Sequence, residues 1–282
     1  MSADAAVHAV PHWFAALFEP ALKDFLKSDA PEGAHKTRVA LRRLRAVLIG
    51  FSPLISRKLW TRLQRRSRSY FRLIGRVRDA DILYLHANGR AARKAAAKEA
   101  AALRKSVRSD VLAKGIKEFP DDLEKLFKGK GWRRESSKAR QIGKAGIEHV
   151  AATALQNAYD GCRKFPLDLC LLPDEDLHEF RKRLKTLRYL GEHFAALWPG
   201  PAQPQFFECL SRLQDALGDL NDAKLAHQSG LAGVSTNAGD VLQVSDLWQT
   251  LVQVALWWPH SACYDATAAL HDRPQTPAPE PA

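Results

Sequence analysis

The chain has 282 residues, 46% of them hydrophobic, and a formal net charge of +12 at pH 7. That apolar content excludes a disordered chain and supports a packed core, in one large domain or two small ones. The charge favours a polyanionic partner, and no apolar run approaches the roughly 20 residues that cross a bilayer, which excludes membrane insertion.

Helical spacing dominates and no stretch alternates as a strand, so the fold class is all-α. The predicted helices run at about 7–28, 34–51, 56–88, 90–118, 138–163, 175–197, 203–228 and 240–258. The breaks fall at Ala30-Pro31-Glu32-Gly33, Ser52-Pro53, Phe119-Pro120, Gly129-Lys130-Gly131, Pro173 and Pro199-Gly200-Pro201. The N-terminus has no basic segment ahead of its apolar residues and does not read as a signal peptide.

In the second predicted helix, His35, Arg38, Arg42 and Arg45 share one stripe at about 100° per residue, bordering the core stripe of Leu41, Leu44, Leu48 and Phe51. A stripe so placed can line a cleft, although a single basic helix is more often a solvated face. The third helix continues the theme. Arg62, Arg65, Arg68, Arg72 and Arg76 lie within about 120° of arc, opposite Leu63, Tyr70, Ile74 and Val77. No acidic residue stands between Arg57 and Arg78, so this row repels itself unless an anion meets it. Arg65 to Arg76 covers about 16 Å of helix, which implies a long ligand. Arg78 and Asp81 fall toward the apolar side and read, with Asp79, as buried or hydrogen-bonded support. An Asp-x-Asp metal site with His35 or His178 is the alternative, but it lacks further ligands at fitting spacing.

Residues 31–150 hold 31 of the 43 Lys+Arg and only 11 of the 31 Asp+Glu, so this half carries most of the positive potential. Within it, the Ala-rich helix at 90–118 bears Arg90, Arg93, Lys94, Lys98 and Lys105 and reads as solvated, with a surface-docking role as the alternative. A Gly/Lys/Ser-rich stretch at 129–138 marks the midpoint.

The second half repeats the first. His178-x-x-Arg181-x-x-x-Lys185-x-x-Arg188 follows the first stripe by 143 residues, with Leu184, Leu187 and Phe194 matching Leu41, Leu44 and Phe51. At the same offset, Gly75-Arg-Val-Arg78-Asp79-Ala80 falls on Gly218-Asp-Leu-Asn221-Asp222-Ala223. Two matches at one shift argue for an internal duplication. Two such faces about a pseudo-two-fold axis could enclose a basic groove. His35 and His178, sharing the angle of their stripes, are assigned to the anion-facing surface. The four cysteines, Cys162, Cys170, Cys209 and Cys263, have no C-x-x-C spacing and read as reduced structural thiols, which points to the cytosol.

These residues resemble the CHAD family, the conserved-histidine α-helical domain. The likeness rests on His35-Lys-Thr-Arg38-Val-Ala-Leu-Arg42-Arg43-Leu-Arg45, Leu73-Ile-Gly75-Arg-Val-Arg78-Asp79-Ala-Asp81, His178-Glu-Phe-Arg181-Lys-Arg-Leu-Lys185-Thr-Leu-Arg188-Tyr189 and Leu213-Gln-Asp-Ala-Leu217-Gly218-Asp-Leu-Asn221-Asp222. It implies one compact domain over about 1–264, with repeats at about 5–128 and 138–260 and a disordered Pro-rich tail at 265–282. It implies two pseudo-symmetric bundles whose basic helices line a central channel for inorganic polyphosphate, and a place at cytoplasmic polyphosphate granules. On this resemblance the polyphosphate-binding set is His35, Arg38, Arg42, Arg45, Arg62, Arg65, Arg72, Arg76, His178, Arg181, Lys185 and Arg188, supported by Arg78, Asp79, Asp81 and Asp222. The triphosphatase domain that often accompanies the family has a Glu-x-Glu-x-Lys signature that this chain lacks. Asn221 stands where the first repeat has Arg78.

Three functions fit a basic helical chain. Polyphosphate binding uses Arg and Lys as charge-assisted donors to successive phosphates, without catalysis. Nucleic-acid binding would need aromatics interleaved with the cations, yet Phe51 and Tyr70 fall on the core side, leaving Trp132 as the one exposed candidate, for which packing in its loop is the better reading. A phosphoanhydride enzyme would need a metal cluster or nucleophile, and no Walker, Rossmann or Glu-rich motif appears, so no cofactor, metal or catalytic residue is expected.

Overall fold

The computed structural model describes residues 1–129, 131–169, 172–228 and 238–259, leaving aside the side chains of His86, 221–228 and 238–241. The fold is all-α, with ten α-helices and no strand among the described residues. The chain divides into two compact units, Met1–Val150 and Ala151–Ala282.

In the first unit, α1 (Ala3–Lys27) begins at an N-cap in which Ser2 Oγ accepts from the Ala5 N–H, and Asp4 favours the positive end of the helix dipole. Its buried face of Val7, Val10, Phe14, Phe18 and Phe25 packs on α2 (Pro31–Gly50) and α5 (Phe119–Lys128). The break expected at 30–33 is narrower than it reads. Pro31 sits in the first turn, where its missing N–H costs nothing, and Gly33 is inside the helix. A Cβ on Gly33 would come within 2.5 Å of the Phe25 backbone nitrogen, so the glycine permits the close crossing of α1 and α2.

Short connections then bring α3 (Arg57–His86) back against α2 and α4 (Arg90–Ala113) back against α3. Trp60 Nε1 donates to the Leu48 carbonyl and fixes the α2–α3 approach. The predicted helix at 90–118 stops early, because Gly115 turns the chain at φ +69. Phe119-Pro120, read as a break, instead opens α5, again with proline in the first turn. The helix predicted at 138–163 is two, α6 (Ser137–Lys144) and α7 (Ile147–Arg163), with the Ser136 side chain capping α6 through the Ala139 N–H. Trp132 is buried and packs against His8 and Phe127, so it is core and not an exposed stacking platform.

The second unit contains the rest of α7, then α8 (Asp174–Phe194), a 3-10 turn (Ala195–Leu197), α9 (Ala202–Gln228) and α10 (Ala238–Gln253). Phe180 of α8 meets Trp248 of α10 edge-on at 5.0 Å. Trp248 Nε1 donates to the Pro166 carbonyl, and Ser245 Oγ accepts from the Leu169 N–H, which tie α10 to the chain just after α7. Trp258 packs on Tyr159 and Phe206. Cys162 and Cys209 are free thiols, and burial pushes Cys162 up to about 12. Cys170, Cys263 and the 265–282 tail lie outside the described residues. Among those that are described, no helix is long and apolar enough to cross a membrane.

Candidate functional site

The core of the first unit decides which cations reach the surface. Leu41, Leu44, Leu48 and Phe51 are fully buried, as are Ile74 and Val77 on α3. That anchoring rotates Arg38, Arg42 and Arg45 of α2 to the edge of the α2–α3 packing seam, half-buried, with His35 exposed beside them. Arg38 and Arg42 both lie over the Phe71 ring, at 4.4 and 5.0 Å from its centroid. Phe71 is the residue that helical periodicity overlooked. It is an aromatic floor that holds two guanidiniums side by side, at an angle on α3 between the core stripe and the arginine row.

The like charges press on one another. Arg38 is held below the usual arginine range by burial and then by Arg42; Asp79 at 4.0 Å opposes this, and Arg78 adds a smaller push. Arg45 is lowered by burial and by Arg68, Arg42 and Arg72. Arg45 Nε donates to Gln64 Oε1 at 3.1 Å, an amide that orients the guanidinium without neutralising it. Arg38 Nε is buried and has no hydrogen-bond partner among the described residues. His35 is lowered by burial first and then by Arg78, Arg42 and Arg38, so the neutral imidazole is favoured there.

Two groups from the arginine row, Arg68 and Arg72, thus face the α2 stripe electrostatically. Arg62 and Arg65 instead line a separate recess farther along α3, and Arg76 is exposed. Arg78 faces His35 and Arg38. Asp79 is exposed, whereas Asp81 is buried and pairs with Arg104 of α4, a partner on another helix. Burial raises Asp81 and the Arg104 charge opposes that rise. Arg90, Arg93, Lys94, Lys98 and Lys105 of α4 are all exposed.

The second unit repeats the layout with more internal compensation. His178 is exposed in the first turns of α8, and Arg181, Lys185 and Arg188 are half-buried beside Phe180, Leu184 and Leu187. His178 is lowered by burial and by Lys182, Arg181 and Lys185. Arg188 donates to Gln214 Oε1 at 3.2 Å, but it also pairs with Glu192 at 2.9 Å. Gln214 occupies the position of Phe71 at the 143-residue offset, so an amide replaces the aromatic floor. Asp222 lies in α9, but its side chain, like that of Asn221, falls outside the described residues.

One contact recurs in both units. A Cβ on Gly75 would lie 3.5 Å from Arg38 Cζ, and one on Gly218 would lie 3.4 Å from Arg181 Nη2. The two sequence matches are therefore two sides of one packing detail, in which a bare α-carbon makes room for a guanidinium. No group of three or more His, Cys, Asp or Glu side chains among the described residues could hold a metal ion.

In layout this is an all-α chain whose helices present His, Arg and Lys from a glycine-backed seat. The chain belongs to the CHAD domain family, whose model matches residues 9–229. It is similar in fold to the crystal structure of the CHAD domain from the plant Ricinus communis, with 18% identity, a TM-score of 0.64, and coverage of 97% of this chain and 93% of that one. It is also similar to PptA from Streptomyces chartreusis, with 17% identity, a TM-score of 0.50, and coverage of 89% and 94%. No curated protein matches the sequence.

Proposed function

We propose that this protein binds inorganic polyphosphate through the cationic stripes of α2–α3 and α8, as a binder without turnover. The observation that carries the reading is the crowding of five guanidiniums: Arg42 lowers Arg38, and Arg68, Arg42 and Arg72 lower Arg45, while Asp79 stands 4.0 Å from Arg38. Such a cluster is stabilised by an anion whose charges repeat at short intervals along a flexible chain. Successive phosphates can meet successive guanidiniums, and each contact adds salt dependence. Nucleic acid is disfavoured, because Phe71 is covered by two guanidiniums and Phe51, Tyr70 and Trp132 are buried, so none of these four rings is free to stack on a base. The family resemblance adds a cytoplasmic setting at polyphosphate granules.

The test is a titration with long-chain polyphosphate, double-stranded DNA and single-stranded RNA at matched phosphate concentration and about 0.15 M salt. An Arg38/Arg42/Arg181/Lys185→Ala variant is run alongside. Selective tight binding of polyphosphate, lost in the variant and without phosphate release, supports the reading. Equal affinity for all three polymers, or binding that the substitutions leave unchanged, overturns it.

A further inference from the structure

The N-terminal half of α3 and the end of α4 form a recess of about 830 Å³, within the roughly 300–1,000 Å³ typical of small-molecule sites. Its walls carry Arg57, Lys58, Arg62, Arg65 and Arg66 from α3 and Lys114 from the end of α4, with the hydroxyls of Thr61 and Ser69 between them. None of the lining residues is acidic. The first turn of α3 also has no acid, so the positive end of that helix dipole is not offset locally.

The recess is built, not merely basic. Arg66 donates to Asp122 at 2.7 Å and to the Gly115 carbonyl at 3.1 Å, and it lies over the Phe119 ring at 4.9 Å. Tyr70, buried at the base, donates through its hydroxyl toward the Lys114 carbonyl at 2.7 Å and lies 3.0 Å from the Gly115 carbonyl. These bonds pin the positive-φ turn at Gly115 and therefore the position of Lys114. They also occupy two carbonyls at the end of α4 that would otherwise repel an anion. Arg66 and Tyr70 are the scaffold, and Arg62, Arg65 and Lys114 are exposed and have no ion pair among the described residues. A preorganised frame with spare cations loses little entropy when a ligand arrives.

We propose that this recess is a second anion site, distinct from the α2–α3 stripe, that takes a compact run of linked phosphates: a free oligophosphate or the end of a longer chain. The ligand's chemistry rests on the polyphosphate reading, and the site rests on its own geometry. A volume this small suits a few phosphates and not an extended polymer.

The experiment is calorimetric titration of the full chain with tripolyphosphate. A recess variant, Arg62→Gln/Arg65→Gln/Lys114→Gln, and a stripe variant, Arg38→Gln/Arg42→Gln, are compared, with circular dichroism confirming that both are folded. The recess variant should lose about tenfold or more in tripolyphosphate affinity, and the stripe variant clearly less, because the stripe engages the successive phosphates of a longer chain. Unchanged affinity in the recess variant, or an equal loss in the stripe variant, overturns the second site. Long-chain polyphosphate separates the two sources: a several-fold loss in the recess variant assigns the site to chain ends, and no loss assigns it to free oligophosphate. If the polyphosphate reading itself fails, the parent protein binds neither ligand, a result different from long-chain binding with a silent recess.

Discussion

Gly75 of α3 and Arg38 of α2 fit each other: the bare α-carbon leaves room for the guanidinium, and a Cβ would meet Cζ at 3.5 Å. Gly218 and Arg181 repeat this at 3.4 Å to Nη2. Neither glycine has a positive φ, so space and not backbone freedom is what the position needs. Gly75→Ala should therefore fit at ordinary contact distance and stabilise α3 by up to about 1 kcal/mol, leaving polyphosphate affinity within about twofold. Gly75→Val adds bulk against the guanidinium and should weaken binding by about tenfold without removing a charge. Urea unfolding and polyphosphate titration of the two variants check both halves.

Salt should separate the two units. Arg45 is oriented by the neutral Gln64, whereas Arg188 is partly neutralised by Glu192. Arg38→Ala/Arg42→Ala should reduce the slope of log affinity against log salt by about 1 per lost phosphate contact. Arg188→Ala should change it less. Affinity measured across a salt series on each variant is the check.

Binding should tighten as the pH falls. His35 and His178 are held below their ordinary 6.5 by burial and by neighbouring cations, so both are neutral in the free protein at pH 7. A polyanion reverses the sign of that field and favours their protonation, so binding takes up protons and strengthens as the pH falls below neutrality. His35→Gln/His178→Gln should flatten the pH profile while retaining binding at pH 8. Proton uptake can be read by calorimetry in buffers of different ionisation enthalpy.

The buried Asp81–Arg104 pair should behave as a unit. Asp81→Leu leaves a buried guanidinium uncompensated and should cost about 3–5 kcal/mol, while Asp81→Leu/Arg104→Met should recover most of that loss. A double-mutant cycle in denaturant measures the coupling.

Acid stability should have a large contributor in His193 of the second unit. Burial lowers His193 from 6.5 to about 4, so the unfolded chain binds a proton there before the folded one does. Stability is full above about 6.5 and falls as the pH drops toward 4, by up to about 3 kcal/mol at 1.36 kcal/mol per pH unit. His193→Leu should remove most of that slope, as thermal unfolding at a series of pH values would record.

The helix boundaries show where periodicity stops informing. Phe119-Pro120 reads as a breaker, yet proline in a first turn has no hydrogen bond to lose, and the real stop is Gly115, where the backbone enters positive φ. The α2 and α8 stripes were legible because the core leucines fix the rotation of each helix about its own axis. Phe71 was not legible as a floor, since its role depends on which residues of α2 lie above it. Nor was the partner of Asp81, which sits 23 residues away on α4.

The sequence by itself determined that the chain is helical, that its halves carry matching cationic stripes at one offset, and that α3 bears a row of arginines with no acid to offset it. Those are properties of spacing along one helix, and a 3.6-residue period encodes them directly. Tertiary structure alone decided which cations share a neighbourhood: Arg68 and Arg72 with the α2 stripe, Arg62 and Arg65 with Lys114 in a separate recess, and Arg104 with Asp81 in the core. Those groupings depend on how helices cross and where turns are pinned, and the balance of burial and charge that sets them involves residues far apart in the chain.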